Sequence, residues 1–179
     1  MINLRILCAL LIVLGLAGCD EKAAKPAAQS QQAFAVNNVQ AFQGIEQLKA
    51  KLLMNPTDFA TLSKLGDMYF ESARYVEAFQ TYDKALAVNP NCADCYNDRG
   101  LSLYYIGDPK SALESFDKAI AVDPGFVHAW LSKGFVLTAE GRHQEAVVPL
   151  NKVKEIDSSG VLSLQADKFL AMGVEKGGQ

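Results

Sequence analysis

The 179-residue sequence predicts an all-α fold, a solenoid of three stacked helix-pair repeats with a flanking helix before them and a capping helix after. Three observations predict it. Glycines recur at a step of 34, as Gly66, Gly100 and Gly134. Large residues keep that step four places before each glycine (Leu62, Tyr96, Trp130), and alanines keep it twelve places after (Ala78, Ala112, Ala146). Pro90 and Pro124 close the first two units. A fixed alternation of small and large residues at this period marks a unit that buries its apolar face only against its neighbours.

Residues 1–18 read as a cleaved secretory segment. Met1 to Arg5 carries one positive side chain, and Ile6 to Leu16 is almost uninterrupted apolar sequence. A spanning helix needs roughly 20 apolar residues, so this run is too short to remain as an anchor. Leu16-Ala17-Gly18-Cys19 resembles the lipobox of bacterial lipoprotein precursors, in which small residues admit a signal peptidase and the cysteine receives a diacylglycerol. The resemblance implies a mature N-terminus at Cys19, lipid-anchored to a membrane of the bacterial envelope, with the domain facing the periplasm or the cell exterior. Several acyl chains on one residue hold a membrane far more firmly than one. Asp20 resembles the inner-membrane retention residue of enteric lipoproteins. Loss of Arg5 with the segment takes the formal charge from -3 to -4 over 161 residues. Residues 19–38, rich in Ala, Gln and Lys and containing Pro26, read as a flexible tether.

Residues 39–56 carry Ile45, Leu48, Leu52 and Leu53 ahead of Asn55-Pro56, and Pro56 stands 34 places before Pro90, the pattern of a second helix from a preceding unit. The first full unit, 57–90, holds Leu62, Leu65, Gly66, Tyr69, Ala78, Tyr82, Ala85 and Pro90. In the second, 91–124, Tyr96, Gly100, Leu103, Ala112, Phe116, Ala119 and Pro124 follow suit. Its Gly107-Asp108-Pro109 spells the turn between helices: Gly107 ends one helix in the left-handed conformation, Asp108 caps the next and Pro109 suits its first turn. The third, 125–158, keeps Trp130, Gly134, Leu137, Ala146 and Leu150, but Ser158 replaces the proline, and Arg99 and Lys133 stand where the first unit has Leu65. Such long basic side chains can lay their stems on apolar surface. In 159–179, Leu164 is in step with Trp130 while Lys168 replaces the glycine, so the segment reads as a capping helix with a polar outer face.

From Phe59 to Ser158 this pattern resembles the tetratricopeptide repeat. The resemblance implies two antiparallel helices per unit and a curved stack whose first helices line a groove for a peptide or helix of a partner. Carried onto this chain, the groove contains Ser63, Asp67 and Phe70, then Asn97, Leu101 and Tyr104, then His128, Leu131, Phe135 and Thr138. Its apolar and aromatic middle predicts a protein or peptide ligand with an apolar anchor, unless the tether or the capping helix folds into the groove instead. Repeat proteins of this kind that grip a C-terminal carboxylate use Lys, Arg and Asn, whereas Ser63, Asp67, Asp94, Asp98 and Leu131 stand here. An acidic rim repels a carboxylate and suits a basic flank.

Cys92 and Cys95 form a C-x-x-C at the start of a helix, where a thiol pKa falls, so a redox pair is one reading. Tyr96 stands where a c-type haem needs His, and His128 and His143 are not placed to complete a zinc site. The βαβ context of a thiol oxidoreductase is missing, which favours small interhelical residues or a local disulfide. No nucleophile turn or phosphate loop is present, so no enzyme, cofactor, metal or small-molecule substrate is expected. A net charge of -3 offers no basic face for nucleic acid. The sequence therefore predicts a non-catalytic, membrane-anchored adaptor in an envelope assembly. Its alternatives are a thiol-redox protein acting through Cys92 and Cys95, or a structural spacer.

Overall fold

The computed structural model describes residues 40–158 and 160–176, so the expectations for the cleaved segment, Cys19 and the tether lie outside the described residues. These belong to one compact unit, Gln40–Gln179, with eight helices and no strand among the described residues. They are α1 (40–54), α2 (Phe59–Glu71), α3 (Tyr75–Val88), α4 (Ala93–Tyr105), α5 (Pro109–Val122), α6 (Val127–Ala139), α7 (His143–Ile156) and α8 (Val161–Lys176). Short turns join α2 to α3, α4 to α5 and α6 to α7, and each of these pairs packs most heavily on itself. The second helix of each pair then packs on the next element, α3 on α4, α5 on α6 and α7 on α8. First helices also touch one another, α2 to α4, α4 to α6 and α6 to α8, whereas α3, α5 and α7 do not meet. The stack therefore bends toward its first helices and makes their free side the concave one.

The step of 34 is a packing register. A β-carbon added at Gly66 would lie 2.6 Å from Tyr82 Cε1, one at Gly100 would lie 2.5 Å from Phe116 Cε1, and one at Gly134 would run into Leu150. Each glycine thus seats the large side chain sixteen places further on, and Tyr82, Phe116 and Leu150 are fully buried. Ala78, Ala112 and Ala146, one on each second helix, are buried as well. The turns repeat too. Ala73, Gly107 and Gly141 all take positive φ, +55°, +89° and +75°. In the middle unit Asp108 accepts the Ser111 N–H (3.0 Å), with Pro109 next. In the same place the outer units hold Arg74 and Arg142, which pair with Glu77 (2.6 Å) and Glu145 (2.5 Å).

Arg99 and Lys133 do more than lay stems on apolar surface. Arg99 Nε donates to Asp83 Oδ1 on α3 and its Nη1 to Ser115 Oγ on α5, both at 2.5 Å. One unit later Lys133 Nζ donates to Asp117 Oδ1 on α5 (2.5 Å). In the next register place Asp167 of α8 pairs with Lys154 of α7 (2.6 Å), with the sign reversed.

Three expectations need correction. Leu53 is 84 % exposed while Ile45 is buried and Leu48 and Leu52 are half-buried, because at 100° per residue position 53 falls off the stripe made by 45, 48 and 52. The outer face of α8 is not polar throughout: Val161 and Leu164 are 78 % and 63 % exposed. Leu164 keeps the stacking register of Trp130, and no described helix covers it. Trp130, whose place in the register of large residues reads as core, is half-buried, with its indole N–H donating to Pro124 O (2.9 Å), so it edges the core instead of filling it.

Candidate functional site

Positions 67, 101 and 135 are one register place on the three first helices and read Asp, Leu, Phe; positions 70, 104 and 138 read Phe, Tyr, Thr. The concave side thus carries an acid at the first unit, while aromatic rings run along all three, as Phe70, Tyr104 and Phe135.

The aromatic side chains form a continuous ribbon across the units. Phe70 on α2 lies 5.5 Å from Tyr75 and 5.9 Å from Tyr105, and Tyr75 stacks on Tyr105 at 4.7 Å. Tyr105 meets Tyr104 (5.6 Å), Tyr104 meets Phe135 edge-on (5.4 Å), and Phe135 meets Phe169 of α8 (5.5 Å). Offset and edge-on rings at these separations are attractive and hold one another in place. Between them opens a cavity of about 250 Å³ whose lining includes Leu101, Tyr105, Leu131, Phe135, Gln165 and Phe169. A second, of about 240 Å³, lies between α7 and α8 beside His143, and Phe169 lines both.

The expected groove residues divide into two sets. Asp67, Phe70, Leu101, Tyr104 and Phe135 are half-buried on the ribbon or beside it, and Ser63 is half-buried next to Cys95. Asn97, Leu131 and Thr138 are buried, Leu131 reaching only the lining of the cavity between the rings and Thr138 that of the cavity beside His143. Leu131 belongs to a core cluster against which Leu162, Phe169 and Leu170 of α8 pack, and Thr138 Oγ1 donates to Gly134 O (2.8 Å). At the third unit, then, the capping helix lies partly over the groove. His128 is exposed at its edge, 5.5 Å from the Phe126 ring.

The acidic end is built around Tyr82, Asp67, Asn97 and Asp98. The Tyr82 hydroxyl donates to Asp67 Oδ1 (2.9 Å), and Lys64 Nζ stands 3.9 Å from the other oxygen of that carboxylate. Asn97 Nδ2 donates to Asp98 Oδ1 (2.9 Å), while Asn97 Oδ1 is buried with no partner. Burial first, then the charges of Asp94 and Asp67, push the Asp98 carboxyl up to about 7 against the opposing hydrogen bond from Asn97. Burial and the charges of Asp98 and Asp67 hold the Tyr82 phenol far above its usual range, and it stays protonated as a donor.

Cys92 and Cys95 are joined as a disulfide. Cys92 is the N-cap residue of α4, and its sulfur accepts the Cys95 N–H (3.0 Å). Cys95 is 2 % exposed, so only the Cys92 sulfur approaches solvent. Among the described residues no three His, Cys, Asp or Glu side chains converge as metal ligands.

Sequence reasoning missed Tyr75, Tyr105 and Phe169. Phe169 was findable, standing 34 places after Phe135 in the place that reads Leu101, Phe135, Phe169. Tyr105 was not, because the other units put Glu71 and Ala139 there.

Two family models, both described as tetratricopeptide repeat, match residues 57–124 and 97–160 and together run from 57 to 160. None of the curated proteins matches the chain. Solved structures share its fold at low identity. The crystal structure of MamA is 22 % identical with a TM-score of 0.61, covering 74 % of this chain and 86 % of its own. The first repeat domain of Spaghetti (RPAP3), bound to the HSP90 peptide SRMEEVD, is 19 % identical with a TM-score of 0.62, covering 68 % and 94 %. The TPR2B domain of yeast Sti1, in a complex with Hsp70, is 20 % identical with a TM-score of 0.60, covering 75 % and 98 %.

Proposed function

The chain belongs to the tetratricopeptide repeat family, and from that premise we propose that it is a non-catalytic adaptor holding a protein or peptide partner along its first helices, tethered by lipid on Cys19 to a bacterial envelope membrane. The observation that carries the reading is the aromatic ribbon from Phe70 through Tyr105, Tyr104 and Phe135 to Phe169. Stacking of the units accounts for Leu103, Phe116 and Leu137, which are buried, but not for half-exposed rings on the concave side. Rigid aromatic anchors beside an apolar cavity are the usual energetic centre of a protein interface. The Spaghetti domain, of the same fold, holds an HSP90 peptide, which supports a peptide ligand here.

A photoreactive side chain at Tyr104, in intact cells, should crosslink one discrete partner, and Leu101→Asp with Phe135→Asp should abolish that crosslink while helicity stays intact. A crosslink indifferent to both changes would discard the groove. The anchor has its own test. The N-terminal peptide of the mature protein should carry acyl chains on Cys19, and Cys19→Ser should release the protein from the membrane fraction; retention without acylation would remove the lipoprotein reading.

A further inference from the structure

The first helix carries an exposed stripe that lies outside both the stacking contacts and the aromatic ribbon. On α1, Ile45, Leu48 and Leu52 face the core, and about 100° further round stand Phe42, Glu46, Lys49 and Leu53. Phe42 is 60 % and Leu53 84 % exposed, and between them Lys49 and Glu46 form an exposed ion pair at 2.8 Å. Beside this stripe the register of the array is broken. In the second unit Arg99 reaches between α3 and α5, to Asp83 and Ser115. One period earlier those three places read Leu65, Lys49 and Thr81, so a leucine stands where the bridging cation would be. A cavity of about 470 Å³ opens there between α1 and α3, with an apolar wall of Leu52, Leu53, Leu62, Leu65 and Tyr69.

We propose that this stripe is a two-fold interface between two copies of the chain, with α1 antiparallel to α1 and Phe42 of each copy seated at the cavity beside Leu53 of the other. The steps along the stripe, four, three and four, read the same in both directions. An antiparallel seam therefore sets position 42 against 53 and 46 against 49, and does so twice. Each Glu46 then meets Lys49 of the other copy, and the ion pair inside each copy becomes part of a ring of four alternating charges. A parallel seam would set acid on acid and lysine on lysine, which repel. The exposed face of α8, with Val161, Leu164, Lys168 and Met172, is apolar too, but its one charge leaves Lys49 without an acid. A two-fold contact needs a patch that is both ligand and receptor, and this one holds an aromatic anchor and an apolar pocket side by side. The separate copy holds α1 by one side only, and pairing covers the other. The interface shares no residue with the aromatic ribbon, so it stands apart from the partner groove.

The test uses the full chain in intact cells, with two differently tagged copies expressed together and oxidised mildly. Phe42→Cys in one copy and Leu53→Cys in the other should give a disulfide-linked pair. Neither variant should bridge to its own kind, since the two-fold places each residue roughly 16 Å from its twin along the helix. Glu46→Lys in both copies, or Lys49→Glu in both, should lower the yield of the bridge about tenfold, and Glu46→Lys in one copy with Lys49→Glu in the other should restore it. Restoration by a change in the other copy cannot come from the fold of either. Absence of the 42-to-53 bridge, an equal yield at 42-to-42, or a loss that the opposite charges fail to restore each overturns the two-fold. A bridge from Leu53→Cys to Leu164→Cys of the second copy in its place overturns it in favour of head-to-tail stacking of α1 on α8.

Discussion

Ala73 turns left-handed with its β-carbon in place, where the next two units use Gly107 and Gly141. The conformation costs an alanine about 1–2 kcal/mol, while glycine gives back roughly 0.4–1 kcal/mol through a freer unfolded chain. Ala73→Gly should therefore stabilise the domain by about 0.5–1 kcal/mol in a denaturant titration, and a loss of stability would mean that Ala73 is not strained. Asp98 behaves in the opposite sense from a paired carboxylate. Its folded carboxyl, at about 7 instead of the usual 3.8, keeps a proton that the unfolded chain has shed, so stability falls as pH rises between those values and the penalty is complete above them. Burial sets this first, with the charges of Asp94 on its own helix and Asp67 on α2, against the hydrogen bond from Asn97. Asp98→Asn should leave the urea midpoint unchanged near pH 4 and raise stability near pH 8 by on the order of 1–2 kcal/mol, below the full shift because solvent screens a part-exposed group. An equal gain at both pH values would show that ionisation is not the cause. These residue-level features were only half legible in the sequence. Asp98 was visible as part of an acidic rim, but its burial and the orphaned oxygen of Asn97 depend on how α4 lies on α2 and α3.

Among elements, α8 decides how much of the groove is open. Phe169 stands between two cavities and touches Phe135, so Phe169→Ala should join them, cost about 1–3 kcal/mol for a half-buried ring, and expose Leu131. A thermal melt reads the cost, and binding of a hydrophobic dye reads the opening; no change in either would mean that α8 is a passive lid. The start of α4 is held differently, by a disulfide across a single helical turn whose first sulfur also caps the helix. Cys92→Ser with Cys95→Ser keeps a capping oxygen and loses the cross-link, which should cost about 1–2 kcal/mol for so short a loop. Insulin reduction by the parent protein that disappears in this double variant would instead favour thiol chemistry. Elements were the most legible scale. Gly107-Asp108-Pro109 folds as its residues dictate, because turn chemistry is local. The outer face of α8 was misjudged, since Lys168 in the glycine place implies a polar surface while Val161 and Leu164 keep the apolar register of a unit that nothing described covers.

For the whole molecule, each unit leans only on its neighbours, so local stability should grade from the middle outward. Hydrogen exchange should be slowest in α4 to α6 and fastest in α1 and α8, and uniform protection would mean that the array opens as a single body. The fold was legible because one register, small residues against large ones, repeats three times and is stated redundantly. What escaped was carried by residues that break the repeat, such as Tyr105 in the ribbon and the cross-helix pairs of Arg99, Lys133 and Asp167. A chain of units that share one register carries a hazard of its own, because a helix displaced by one period still meets small and large residues in matching places. The change of sign at the last pair guards against that error. Were α8 to dock one period early, Asp167 would meet Asp117 in place of Lys154; were α6 to dock one period late, Lys133 would sit beside Lys154 with no acid opposite. The pairs thus favour the correct register, by at most about 1 kcal/mol each for ions so exposed, and a chain whose charges were made alike in every unit would lose that preference.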